Sequence, residues 1–192
     1  MPSLATSTDT VVANPDGSLT RTTHALPVRT RQNGQWVALD ATLTRSSDGT
    51  VSPTAVPNTV KLSGGGGGPF AVLGDGSGHQ LSLSMPFTLP APTLDGDTAV
   101  YSAVLPGVDL QVQVDQQGVV REVLVVHDAT AAANPALKAI HLAVDAPNLT
   151  VSSTTGGGML VATPTGPRSS AAPLLSCGTP ARRPPPRSKR LR

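Results

Sequence analysis

Val108-Asp109-Leu110-Gln111-Val112-Gln113-Val114, the turn Asp115-Gln116-Gln117-Gly118 and the return Val119-Val120-Arg121-Glu122-Val123-Leu124-Val125-Val126 decide the fold class. In the first segment Val108, Leu110, Val112 and Val114 share one face, while Asp109, Gln111 and Gln113 share the other. Side chains of a strand alternate with a period of two, so this pattern predicts a half-buried β-strand. Glycine at 118 closes the turn, and the return segment has only Arg121 and Glu122 as polar residues. A strand so uniformly apolar is expected to be buried on both faces.

The same chemistry extends towards the N-terminus. Thr10 to Ala13 and Ser18 to His24 flank Asn14-Pro15-Asp16-Gly17, a strong turn sequence. Val28 to Arg31 and Trp36 to Leu39 flank Asn33-Gly34, whose residue types suit a type I′ hairpin turn. Ser47-Asp48-Gly49-Thr50 is a third such turn, and Asp95-Gly96 another. Leu81, Leu83 and Met85 alternate with Gln80, Ser82 and Ser84 as a half-buried strand before Pro86, Pro90 and Pro92 break the pattern. The five-glycine run Gly64 to Gly68 loses much entropy on ordering and predicts a mobile loop, a point where the module would divide into two sub-units.

Towards the C-terminus, Ala129 to Ala139 is the one helical candidate, capped by Asp128 and cut short by Asn134-Pro135. Ala139 to Val144, Leu149 to Ser152 and Met159 to Ala162 supply further short strands. The expectation is an all-β antiparallel sandwich or roll of about ten short strands with long Gly/Pro-rich loops. Residues 1–8 read as a flexible N-terminus, 9–166 as the β-rich module, and 167–192 as a disordered Pro/Arg-rich tail.

Charge separates the module from the tail. Residues 1–167 hold seven basic and all twelve acidic residues, a net −5, whereas 168–192 hold seven basic residues and no acid, a net +7. The overall pI of 9.1 therefore describes the last residues and not the module. Trp36, Phe70, Phe87 and Tyr101 are the chain's four aromatics, which predicts a thin core made of β-branched contacts. Cys177 is the single cysteine, so neither an intrachain disulfide nor a cysteine-cluster zinc site is expected. The absence of a long apolar run argues against membrane insertion by a helix, and the first residues lack the features of a signal peptide.

Few residues suggest chemistry. His24, His79, His127 and His141 share no metal-like spacing, and no G-x-S-x-G or S-x-x-K motif is present. The glycine run lacks the Lys-Ser/Thr of a phosphate loop. Asp75-Gly76 and Asp95-Gly96-Asp97 resemble fragments of calcium loops but offer too few ordered oxygen ligands, and Asn148-Leu149-Thr150 fits a glycosylation pattern by chance. Pro106-Gly107 permits a tight bend before the 108–114 strand, and Asp109 would bond the backbone amides of that bend. No catalytic, metal or cofactor residue is assigned, and no cofactor is expected. Trp36 reads as a core anchor, and Trp36 or Tyr101 as the speculative stacking face of a glycan-binding alternative. In the tail, Arg182, Arg183, Arg187, Lys189, Arg190 and Arg192 would bind polyanions nonspecifically, without aromatics for base stacking.

Tyr101-Ser102-Ala103-Val104-Leu105-Pro106-Gly107-Val108-Asp109-Leu110 resembles the Y-x-x-V-x-P-G-[VI]-D-L segment of large secreted bacterial surface proteins. Residues 12–24, 27–43 and 131–137 extend the resemblance to the N-terminal β-rich region of actinobacterial secreted LamG-domain and RHS-repeat proteins, over about residues 5–165. The resemblance implies a noncatalytic region between a signal peptide and downstream repeat, lectin-like or toxin modules, and it carries over no active-site residue. Such relatives continue with a stretch like V-F-S-x-P-A-P-x-[MV]-W-D-S, where this chain has R-S-S-A-A-P-L-L-S-C-G-T-P. With permitted codons, Arg168 to Ala181 rereads in a shifted frame as V-F-S-G-P-A-P-L-V-W-D-S-G. The expectation is thus a truncated, frameshifted fragment of a longer protein. Its partners would be that protein's downstream domains and cell-wall glycan. The parent would be extracellular or wall-associated, and the fragment cytoplasmic if expressed as given.

Overall fold

The computed structural model describes residues 5–153 and 159–163, and among them the chain forms sixteen strands, one turn of α-helix and one 3-10 turn. It divides into two compact units, Met1–Pro147 and Asn148–Arg192. The first unit opens with two hairpins. β1 (Asp9–Ala13) pairs with β2 (Leu19–Thr23), and β3 (Arg29–Gln32) pairs with β4 (Gln35–Ala38). Asn33 and Gly34 have φ of 50° and 80°, so both central residues of the second turn are left-handed, as a type I′ turn requires.

Two larger antiparallel sheets follow. β5 (Asp40–Arg45), β6 (Val51–Ala55), β7 (Thr59–Leu62), β8 (Ala71–Gly74) and β9 (Gln80–Ser84) lie side by side, with β14 (Ala143–Asp145) added beyond β9. β10 (Thr93–Asp95), β11 (Thr98–Leu105), β12 (Val108–Val114) and β13 (Val120–Val126) form the second sheet in chain order. In the second unit, β15 (Thr150–Ser153) pairs with β16 (Met159–Ala162).

The core follows from the alternation. Leu43, Val51, Val60, Leu62, Leu73, Leu81 and Leu83 are buried from the first sheet, and Ala99, Tyr101, Val108, Leu110, Val112 and Val114 from the second. Phe70 is buried at the entry to β8. Two hydrogen bonds stitch the sheets at one end: the Leu43 amide donates to the Gly96 carbonyl at 2.8 Å, and the Arg45 guanidinium Nη2 donates to the Pro92 carbonyl at 2.6 Å. The far ends are β14 in one sheet and β13 in the other. The all-β, antiparallel class expected from the sequence is the class observed. Its helix is α1 (Ala129–Ala132), capped by Asp128, and Asn134 caps the 3-10 turn Pro135–Leu137.

Four local expectations need correction. The apolar β13 is not buried on both faces: Val123 is 55% and Val126 40% exposed, because β13 is the last strand of its sheet. The glycine run does not separate two sub-units, since β7 and β8 on either side of it pair directly. Nor does it lie free. Gly66 and Leu89 exchange backbone hydrogen bonds of 2.8 and 3.0 Å, and a Cβ on Gly64 would fall 2.1 Å from the Gly49 oxygen. Residues 6–8 are likewise tied down: the Ser7 and Thr8 carbonyls accept from Val28 and His24, and Thr6 bonds the Asp9 carboxylate. The expected tail lies outside the described residues, with Arg182, Arg183, Arg187, Lys189, Arg190 and Arg192.

Candidate functional site

The densest polar arrangement grows from a bulge between β11 and β12. Their register runs to Tyr101↔Leu110, shifts, and resumes at Leu105↔Val108. Within the shift Ala103 takes a φ of 55°, a left-handed conformation that a residue with a Cβ adopts at a cost. Asp109 supports it, with Oδ1 accepting from the Ala103 amide at 2.7 Å and Oδ2 lying 2.9 Å from His127 Nε2. The Ala103 amide first, and then the His127 ring, hold the Asp109 carboxyl below its ordinary pKa.

Pro106-Gly107 forms the tight bend. Gly107 has a φ of 69°, and a Cβ there would lie 2.7 Å from the Ala131 Cβ. The His127 amide donates to the Gly107 carbonyl at 3.0 Å, and Asp128 Oδ1 accepts from the Ala131 amide at 2.7 Å. Residues 103–109 and 127–131 therefore interlock. Asp109 bonds the amide of the bulge and not those of the Pro106-Gly107 bend, which corrects the geometry expected from the sequence.

An aspartate–histidine pair with a half-exposed imidazole resembles part of a catalytic constellation. A general base must also face the proton that it removes. Among the described residues no hydroxyl is hydrogen-bonded to His127, and no three His, Cys, Asp or Glu side chains gather to hold a metal. What the pair does in this geometry is hold the bulge. A second pair, Asp75 and His79, closes a turn in the same manner: Oδ2 lies 2.6 Å from His79 Nδ1, and Oδ1 accepts from the Ser77 amide at 2.7 Å. Asp97 is engaged by Gln113 and Thr98, which leaves the exposed Asp95 as the other carboxylate of that fragment, short of a calcium loop's set of oxygen ligands.

The two aromatic candidates sit apart from this cluster. Tyr101 is fully buried and donates from its hydroxyl to the Ser63 carbonyl at 2.7 Å, and burial pushes its phenol up to about 12. It has no face for a sugar, which removes it as a glycan platform. Trp36 is half-buried on β4, opposite Arg31, whose guanidinium lies 4.7 Å from the indole centroid. That cation occupies one face of the ring. The Trp36 Nε1 is buried without a hydrogen-bond partner among the described residues.

The sequence alone does not single out His127, Ala103 or Asp9. Counting back from the 115–119 turn puts residue 127 opposite 107, a diagonal step from Asp109, so the His127 contact was available from hairpin register. Asp9 is the one buried charged residue among those described. It receives Arg21 through Nε and Nη2 at 3.2 and 2.9 Å, Thr23 at 2.7 Å and Thr6 at 2.9 Å, and these bonds hold it far below the usual carboxylate range. In comparisons with known proteins, no family model, no curated protein and no solved structure matches the chain.

Proposed function

We propose that the chain is a noncatalytic structural and interaction module of a large secreted or wall-associated protein, of the kind found in actinobacterial LamG-domain and RHS-repeat proteins. The observation that carries this reading is the apolar exposure on the terminal strands β13 and β14, one in each sheet. There Val123 is 55% exposed, and Val126 and Val144 are 40% exposed each. Apolar side chains on terminal strands suit a surface that neighbouring polypeptide covers. The polar clusters fit the same reading, since Asp9, Asp75 and Asp109 each brace a turn, a bulge or a hairpin. The partners are then the downstream domains of the parent protein, and its location is extracellular or at the cell wall. Purified alone, the chain is expected to melt broadly and aggregate. A sharp, reversible melt of the monomer contradicts the reading.

The charge break supports a second reading, in which the +7 of residues 168–192 binds polyanions. Deleting those residues should abolish DNA binding in a mobility-shift assay. Retained affinity overturns that reading.

A further inference from the structure

A cleft of about 370 Å³ opens on the outer face of the larger sheet, between the Ser47–Thr50 turn and the glycine run. That volume lies at the lower end of the range for small-molecule sites. Lys61 of β7 and Asp48 of the turn both line it. Asp48 Oδ1 accepts from the Thr50 amide at 3.0 Å and the Thr50 hydroxyl at 2.6 Å. Among the described residues, no hydrogen bond falls on its Oδ2 and no ion pair on Lys61. Thr50 first, with the Lys61 ammonium adding to it, holds the Asp48 carboxyl below its ordinary pKa.

Asp48 and Lys61 thus line one space without a direct ion pair between them. The glycine run makes that space possible. Gly64 lies against Gly49, and Gly65 lies against Pro90 and Ala91, so side chains at 64 and 65 would collide with backbone. Val72, opposite Lys61 in register, and Pro69 give the cleft an apolar wall. No aromatic ring lines it, which makes it a poor fit for stacking on the face of a neutral sugar.

We propose that this cleft binds a small zwitterion of the amino-acid class, its ammonium on Asp48 and its carboxylate on Lys61. The assignment goes beyond the structural role proposed above and is independent of it, since it concerns a ligand and not the parent protein. The test is an amide-shift NMR titration of the full chain with L-alanine and 6-aminohexanoate as short and long zwitterions. Butylamine, acetate and N-acetylglucosamine serve as probes with one charge or none. The expected result is saturable shifts at residues 48–50 and 61–65 with at least one zwitterion, weakened about tenfold or more by Asp48→Asn and by Lys61→Met. Asp48→Asn keeps an acceptor for Thr50, and Lys61→Met lies on an exposed strand position, so the turn survives in the second variant whatever the first does. Absent shifts, shifts unaffected by Lys61→Met, or saturation by single-charge probes or the sugar overturns the proposal.

Discussion

Asp109 and His127 meet across the β12–β13 hairpin at 2.9 Å, and the same carboxylate holds the left-handed Ala103 in the neighbouring strand. The two contacts are unequal in consequence. Losing Asp109 leaves the Ala103 amide without its acceptor, whereas losing His127 removes one contact from a carboxylate that keeps the other. Asp109→Ala should therefore lower the melting temperature more than His127→Ala, with the double variant close to Asp109→Ala. Equal and additive effects would show that the carboxylate does not organise the bulge.

Gly107→Ala should cost at least about 1–2 kcal/mol, the price of a left-handed residue with a Cβ. The 2.7 Å approach to Ala131 adds to that loss. Chemical denaturation measures it, and an unchanged midpoint would contradict the packing described for residues 103–109 and 127–131.

The single tyrosine gives a clean titration. Tyr101 should ionise at about 12 in the native protein and near its ordinary value of 10.0 in denaturant, followed by ultraviolet absorbance. Because folding favours the neutral phenol, its contribution to stability is full below the unfolded value and falls as pH rises towards the folded one. Tyr101→Phe should cost about 0.5–1.5 kcal/mol through the lost bond to Ser63.

Acid should act in the opposite sense. Asp9, Asp48, Asp75 and Asp109 are all held below their ordinary value of 3.8, so their contribution is present above that value and is lost as pH falls through the folded pKa of each. Asp9→Asn should flatten the acid limb of a plot of melting temperature against pH, and a limb as steep as in the wild type would show that the Arg21 pair contributes little.

Within the glycine run, position should matter more than composition. Gly64→Ala meets the Gly49 oxygen and should cost about 1–3 kcal/mol, the usual range for overpacking. Gly67→Ala meets open space and should be neutral or gain about 0.4–1 kcal/mol. Equal effects at both positions would contradict the close approach of the run to the Ser47–Thr50 turn.

Legibility in the sequence followed the range of the physics. The 108–114 alternation, the Asn33-Gly34 turn and the Pro106-Gly107 bend depend on neighbouring residues and could be read directly. The exposure of β13 could not, because apolarity does not say which strand ends a sheet. The glycine run suggested a loose loop because its need for small residues comes from Gly49 and Ala91, distant in sequence. The Asp109–His127 contact needed the register of one hairpin and the bulge of another. The Asp48–Lys61 cleft needed the crossing of two turns.

Sequencing the genomic locus beyond both ends of this reading frame tests the central claim most directly. The account predicts an upstream signal peptide and, in the shifted frame past residue 167, a continuation reading V-F-S-x-P-A-P into further domains. An intact frame with neither extension would contradict it and would make the basic segment 168–192 a genuine part of the protein.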